Sequence, residues 1–255
     1  MRRVFIADAH LRNPTDANYR LLLRFLSELK DNTRSLFILG DLFEFWVGFQ
    51  ETAFPHYRPV LERLMELSEA GTEIVIFEGN HDFHLGRFFT ETLRAQIHPH
   101  PAVLDLDGRR MYICHGDQIN TRDRGYLLLR FLLHNRITRT LFPLLPQALV
   151  LRVAKHLSLR SKKKHGIRNS MWNYETLLRN FAETRFRDGC DAVISAHFHF
   201  PFIYTKTDGR ENTLLSIGDW ISQFSYGELY EGRLSLNRYN PPRKAFTENQ
   251  TAANS

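Results

Sequence analysis

With 255 residues, 43% of them apolar and 20 of them phenylalanine, the chain has material for one large α/β core or two small ones. Its two cysteines, Cys114 and Cys190, exclude a disulfide-stapled scaffold, and the lack of any run of about 18 apolar residues excludes an α-helical membrane span. The net charge of +6 is uneven: residues 124–174 hold eleven Lys or Arg and no Asp or Glu, so the rest of the chain is net acidic. Both cysteines flank strand-like runs and read as buried, reduced thiols. No signal-peptide pattern precedes Val4, and a cytoplasmic protein is expected.

Val4-Phe5-Ile6-Ala7 predicts a buried strand, and Asp8-x-His10 follows it at once. Tyr19, Leu22, Leu23, Leu26 and Leu29 then recur at helical spacing. Leu36-Phe37-Ile38-Leu39 predicts the second strand and runs into Gly40-Asp41. Leu61, Leu64, Met65 and Ser68 mark one face of a second helix. Ile74-Val75-Ile76-Phe77 leads to Gly79-Asn80-His81-Asp82, and Met111-Tyr112-Ile113-Cys114 leads to His115-Gly116. Residues 126–160 are rich in Leu and Arg and are followed by Ser161-Lys162-Lys163-Lys164-His165. They predict an inserted pair or trio of helices. Ala192-Val193-Ile194-Ser195-Ala196 is a fifth strand, ending on His197-x-His199. Turns at Asp208-Gly209 and Gly232-Arg233 then suggest an antiparallel ending to the sheet, and residues 241–255 read as a polar, disordered tail.

Short, nearly all-apolar strands separated by helices imply a sheet covered on both faces. Ligands in such sheets gather at the carboxyl ends of the strands, where all five polar clusters stand. Isolated, each cluster has an ordinary reading. Asn80-His81-Asp82 suits a turn and Asp41 suits a helix N-cap. Five in order, each after its own strand, point instead to one shared site. Carboxylate, carboxamide and imidazole without thiolate favour Mn, Fe, Zn or Mg. Asp8, His10, Asp41, Asn80, His115, His197 and His199 are enough to hold two divalent ions, with Asp41 as a natural bridge. Two such ions flanking a phosphoryl group would generate a hydroxide to attack phosphorus. His81, with the Asp82 carboxylate beside it, is placed to protonate the leaving oxygen or stabilise its charge. The other histidines suit surface or packing positions, with His84 and His165 the leading exceptions.

D-x-H, G-D, G-N-H-D, H-G and H-x-H in this order resemble the calcineurin-like metallophosphoesterase superfamily over roughly residues 3–240. That resemblance implies a four-layer αββα sandwich with two metals, commonly manganese. Asp8, His10, Asp41 and His199 would hold one ion. Asp41, Asn80, His115 and His197 would hold the other, with His81 acting on the substrate.

Within the superfamily, the stretches around Asp8, Asp41 and Asn80, His115-Gly116-Asp117, residues 121–126 and Gly218-Asp219-Trp220 are similar to the UDP-2,3-diacylglucosamine pyrophosphohydrolase family of lipid A synthesis. The similarity implies one domain over residues 1–240, with a helical lid at about 121–175 that encloses acyl chains. It also implies cleavage of the pyrophosphate in a nucleotide-diphospho-lipid. Besides Asn80 and His81, the substrate contacts would be Asp123, Tyr126, Ser161, Lys164 and Arg168. Two departures stand out: that family usually has arginine where this chain has His81, and Gly-His-Thr-His-Arg where it has Ala196-His197-Phe198-His199-Phe200.

The basic, Leu-rich insertion suits a lipid-bearing pyrophosphate and peripheral contact with the anionic inner membrane surface. Another phosphodiester or phosphomonoester, such as a cyclic nucleotide, a nucleic acid end or a phosphoprotein, is the alternative substrate. Nucleic acid is the less expected partner, because Tyr126, Phe131, Phe142 and Trp172 do not interleave clearly with the basic residues. The intact ligand set argues against a non-catalytic binding module. The sequence offers no sign of the oligomeric state.

Overall fold

Alternate residues of each core strand are buried on opposite sides, so the apolar runs need cover on both faces. The computed structural model describes residues 1–47, 55–141 and 173–241. In chain order the elements are β1 (Arg2–Ile6), α1 (Ala17–Leu29), β2 (Thr33–Ile38), β3 (Trp46–Val47), α2 (Arg58–Glu69), β4 (Glu73–Phe77), β5 (Asp82–Phe83) and β6 (Gln96–His98). They continue with β7 (Ala102–Leu106), β8 (Arg109–Ile113), α3 (Arg124–Leu133), α4 (Arg136–Leu141), α5 (Tyr174–Arg187), β9 (Ala192–Ser195), β10 (Phe202–Asp208), β11 (Arg210–Ser216), β12 (Ser225–Tyr230) and β13 (Arg233–Arg238).

The strands form two main sheets, of six strands (β13-β12-β1-β2-β4-β6) and five (β10-β11-β9-β8-β7), plus the small β3-β5 pair. Val4, Ile6, Leu36, Ile38, Ile74 and Ile76 turn outward to a core shared with Tyr19, Leu22 and Leu26 of α1 and Val60, Leu61 and Leu64 of α2. Phe5, Phe37, Val75 and Phe77 turn inward and meet Met111, Ile113, Ala192, Ile194 and Leu215 of the second sheet. The far face of that sheet, with Val193 and Leu214, packs on Leu178 and Ala182 of α5. The result is four layers, helix–sheet–sheet–helix, as the resemblance implies. Each fully buried Leu, Ile or Phe contributes roughly 1.5–3 kcal/mol to this stack.

One correction concerns the sheets. The hydrophobic pattern suggests a single sheet with an antiparallel ending, whereas β8 and β9 pair in parallel in a separate sheet from β1, β2 and β4. The chain end divides as well. The β10–β11 hairpin closes the second sheet and the β12–β13 hairpin closes the first, where β12 pairs antiparallel with β1. The predicted helix faces are offset slightly: Phe25 and Leu67 are buried, while Leu23 and Met65 are only partly so.

The basic insertion lies between β8 and β9, and its described part contains α3 and α4. The remainder of the predicted lid, with Ser161, Lys164, His165 and Arg168, lies outside the described residues, as does the predicted tail apart from Pro241. Cys114 and Cys190 are buried free thiols. Among the described residues, no helix is long and apolar enough to cross a membrane.

Candidate metal centre

The loops after β1, β2, β4, β8 and β9 meet at one end of the two sheets and are tied to one another through the backbone. Asp8 N–H donates to the Gly40 carbonyl at 3.2 Å, His10 N–H to Asp41 at 3.0 Å, and Ala196 N–H to His115 at 2.8 Å. Five of the seven predicted ligands sit at left-handed backbone angles: Asp8 (φ 50°), His10 (43°), Asp41 (54°), His197 (71°) and His199 (51°). Such conformations cost about 1–3 kcal/mol each for residues other than glycine and gather where function over-determines the backbone. Glycine is required between them. A Cβ on Gly40 would lie 2.7 Å from both Gly79 Cα and His115 Nδ1.

Asp8, His10 and His199 form the first group, their ligand atoms all within 4.8 Å of one another. Asp8 is fully buried. Its Oδ2 accepts from the His197 amide at 2.8 Å, while Oδ1, 3.9 Å from His10 Nε2 and 3.7 Å from His199 Nε2, has no hydrogen-bond partner among the described residues. A buried carboxylate oxygen orphaned between two imidazole nitrogens costs free energy unless something cationic completes it. Burial pushes the Asp8 carboxyl up to about 6 and the His10 imidazole down to about 3, leaving His10 neutral as a ligand must be.

Asp41, His115 and His197 form the second group. His115 Nε2 lies 3.2 Å from Asn80 Oδ1, 3.2 Å from His197 Nδ1 and 3.6 Å from Asp41 Oδ2, so four donor atoms converge. The same Asp41 Oδ2 is 3.6 Å from His10 Nε2 in the first group. Burial alone would raise the Asp41 carboxyl, but His115, His81 and His10 outweigh it and hold it well below the usual range. His197 is pushed down to about 3 by burial, with His115 adding to the effect. An oxygen and nitrogen set of this kind fits a pair of divalent cations.

Supporting contacts orient the rings. His115 Nδ1 meets the Leu39 carbonyl at 2.7 Å, which fixes the tautomer and leaves Nε2 for the site. His199 Nδ1 is 3.4 Å from Asp219 Oδ2, while Asp219 Oδ1 accepts from the amides of Ile221, Ser222 and Gln223. Burial would lower the His199 imidazole, yet Asp8 and Asp219 carry it up to about 9, so an ion taking its Nε2 would have to displace a proton there. The Asp219 carboxyl, which burial would raise, falls to about 2 through that contact and its amides. Asp219 is not among the predicted site residues, and its signal is only a Gly-Asp-Trp twenty residues past His199. Asp219→Ala is expected to weaken metal affinity about 10–100-fold, as loss of a carboxylate behind a ligating histidine does elsewhere. Calorimetric titration of the metal-stripped protein checks this.

Other predicted residues take more specific places. His81 Nδ1 meets the Glu44 carbonyl at 2.8 Å, and its ring packs edge-on against His10 at 4.7 Å. The pairing of Asp82 with His81 needs correction. The buried Asp82 carboxylate accepts instead from the amides of Asp41 (2.8 Å), Leu42 (2.7 Å), Phe43 (3.3 Å) and Gly79 (3.1 Å). Asp123 is the N-cap of α3, accepting from Tyr126 N–H at 3.1 Å, and the Tyr126 hydroxyl donates to Asp117 at 2.9 Å. Tyr126 nonetheless stands at the site, its ring 6.0 Å from that of His197. His84 Nε2 meets the Leu133 carbonyl at 2.9 Å. Phe200, half-exposed, packs on Phe202 with ring centroids 5.4 Å apart.

Comparison with known proteins agrees with this geometry. The calcineurin-like phosphoesterase family model matches residues 1–201. The UDP-2,3-diacylglucosamine hydrolase of Proteus mirabilis (strain HI4320) is 30% identical over 243 residues, covering 94% of this chain and 99% of its own. That of Stenotrophomonas maltophilia (strain K279a) is 32% identical over 246 residues, covering 93% and 98%. That of Ralstonia nicotianae (strain ATCC BAA-1114 / GMI1000) is 39% identical over 158 residues, 62% of this chain and 59% of its own. This chain therefore belongs to the calcineurin-like phosphoesterase family and, within it, to that of the UDP-2,3-diacylglucosamine hydrolases, which makes it a metal-dependent phosphate-ester hydrolase.

Proposed function

We propose that the protein holds two divalent ions, manganese by preference, and cleaves the pyrophosphate bond of UDP-2,3-diacylglucosamine. The observation that carries the two-ion reading is Asp41 Oδ2, equidistant at 3.6 Å from His10 Nε2 and His115 Nε2. Asp8, His10, Asp41 and His199 hold one ion; Asp41, Asn80, His115 and His197 hold the other. When bound, the ions supply Lewis acidity and a nucleophile at neutral pH. The Glu44 carbonyl fixes His81 Nδ1 as a donor, so Nε2 is the atom left to meet the leaving oxygen, to which it gives a proton when the ring is the doubly protonated imidazolium. Asn80 adds its amide to the second ion and to a phosphate oxygen.

The activity for which the relatives are named supports the substrate. So does the insertion: residues 1–240 act as one domain whose lid, at about 121–175, takes the acyl chains. Leu128, Phe131, Leu132 and Ile137 present exposed apolar surface there, and the basic run beyond them suits phosphate and an anionic bilayer. The protein then works at the cytoplasmic face of the inner membrane as a peripheral enzyme. Tyr126, Ser161, Lys164 and Arg168 contribute to substrate binding from the lid, and Asp123 contributes by starting α3.

The test is a panel of UDP-2,3-diacylglucosamine, a cyclic nucleotide and an aryl phosphodiester, each with manganese-loaded protein. The lipid is expected to lead in kcat/KM by about 100-fold or more, since a lid that binds acyl chains adds several kcal/mol of discrimination. Equal turnover of all three would remove this substrate. Reloading stripped protein with manganese, iron, zinc or magnesium tests the metal preference.

A further inference from the structure

Helix α3 docks on the protein in an unusual way. None of its apolar side chains is buried, and Leu128 (61% exposed), Phe131 (69%) and Leu132 (51%) face solvent. An amphipathic helix normally turns its apolar stripe to the core, so burial of that stripe is not what holds α3 in place.

Polar contacts hold it. The Arg130 guanidinium pairs through Nε with Asp117, the side chains being 10% and 3% exposed, and the Tyr126 hydroxyl donates to the same carboxylate oxygen. With the Gln118 amide turned to present its oxygen, Arg130 Nη1 and Nη2 reach it at 3.0 and 2.9 Å. Asp117 and Gln118 follow His115 in the loop after β8. At the other end of α3, His84 bonds the Leu133 carbonyl and the His134 ring lies 4.3 Å from Phe83. Phe83, the last residue of β5, and His84 follow directly on the loop that carries Asn80 and His81. One helix is thus fastened to two loops that bear predicted ligands.

We infer that Arg130 and Asp117 are positioning residues: their largely buried ion pair sets α3, with its exposed Leu128, Phe131 and Leu132, in register with the metal centre and so orients that apolar stripe for the substrate. Neither residue belongs to the clusters of candidate metal ligands. A guanidinium fork engaging a carboxylate and an amide together defines orientation as well as distance, which lysine cannot reproduce. Ionic docking also leaves the apolar stripe of α3 unburied among the described residues. The choice of substrate for the test rests on the function proposed above.

Full-length, manganese-loaded Arg130→Leu and Arg130→Lys would be assayed on UDP-2,3-diacylglucosamine and on bis(4-nitrophenyl) phosphate, a diester too small to need the insertion. Amide hydrogen exchange would be followed over residues 124–133. Arg130→Leu is expected to raise KM for the lipid roughly tenfold or more while kcat on the small diester stays within about twofold, because misplacement of a positioning element harms the large substrate selectively. Arg130→Lys should recover part of the loss. Exchange should quicken in α3 but not in β8 or β9. Unchanged exchange in α3, or equal loss on both substrates, would overturn the clamp. If Arg130→Leu does not fold, the pair Asp117→Asn with Arg130→Gln, uncharged yet able to hydrogen-bond, carries the same exchange test. Should the wild-type protein ignore the lipid, the substrate reading falls, and exchange in α3 alone decides the clamp.

Discussion

Asp41→Ala is expected to lower kcat/KM by about 10³-fold or more while the protein still folds. The reason is its central position. Asp41 Oδ2 lies 3.6 Å from His10 Nε2 of one ligand group and from His115 Nε2 of the other, so its loss removes an atom that reaches both. Losing several kcal/mol of charge stabilisation from a phosphoryl transition state amounts to roughly three orders of magnitude. The fold should survive. Alanine at φ 54° costs about 1–2 kcal/mol, and the His81 amide loses its Oδ1 acceptor at 2.9 Å, for about another 1–2 kcal/mol. Asp41→Asn separates charge from shape, since asparagine tolerates the left-handed backbone but brings no negative charge between the two groups. It should be nearly as inactive. Circular dichroism and bound-metal analysis accompany the kinetics. More than about a tenth of wild-type activity in Asp41→Ala, with both metals retained, would sink the two-ion mechanism. His115→Ala should behave alike, because three other donors converge on its Nε2.

Much of this centre is legible in the sequence because each ligand stands directly after its own apolar run. Strand ends deliver side chains to one edge of a sheet whatever the strand order. The strand order itself is hidden. Strands of both sheets are covered on two faces and share one composition, so nothing in Met111-Tyr112-Ile113-Cys114 marks it as belonging to a different sheet from Ile74-Val75-Ile76-Phe77. Long-range polar partners are equally invisible. The Leu39 carbonyl behind His115 lies 76 positions away in sequence, and the Glu44 carbonyl behind His81 lies 37. The docking of helix α3 is hidden in the same way: nothing in its Leu-rich pattern marks Tyr126 and Arg130 as the side chains that fasten it. Asp82 is the clearest case of adjacency being mistaken for partnership. In sequence it follows His81; in space its carboxylate belongs to the loop after β2.

That placement sets up the largest expected effect on stability. Asp82→Ala should cost about 3–5 kcal/mol and remove activity together with the fold's margin. Four backbone N–H groups, those of Asp41, Leu42, Phe43 and Gly79, point at the two Asp82 oxygens from a buried site. Each buried donor left without a partner costs roughly 1–3 kcal/mol, reduced here if water enters the space left behind. A carboxamide cannot substitute well. In Asp82→Asn the side-chain NH₂ would face backbone donors where an acceptor is needed, so that variant should lose most of the same stability. No slack exists for rearrangement: a Cβ on neighbouring Gly79 would come within 2.2 Å of Asp41 Oδ1 and 2.8 Å of Asp82 Oδ1. At about 2–4 °C of melting temperature per kcal/mol for a chain of this size, thermal unfolding should fall by roughly 10 °C. The same substitution frees the backbone of Asp41, which holds its left-handed turn against an intrinsic cost of about 1–2 kcal/mol. Activity should therefore drop even below the melting transition. A melting temperature within about 2 °C of wild type would show that Asp82 does not clamp this loop, and would return it to a role beside His81.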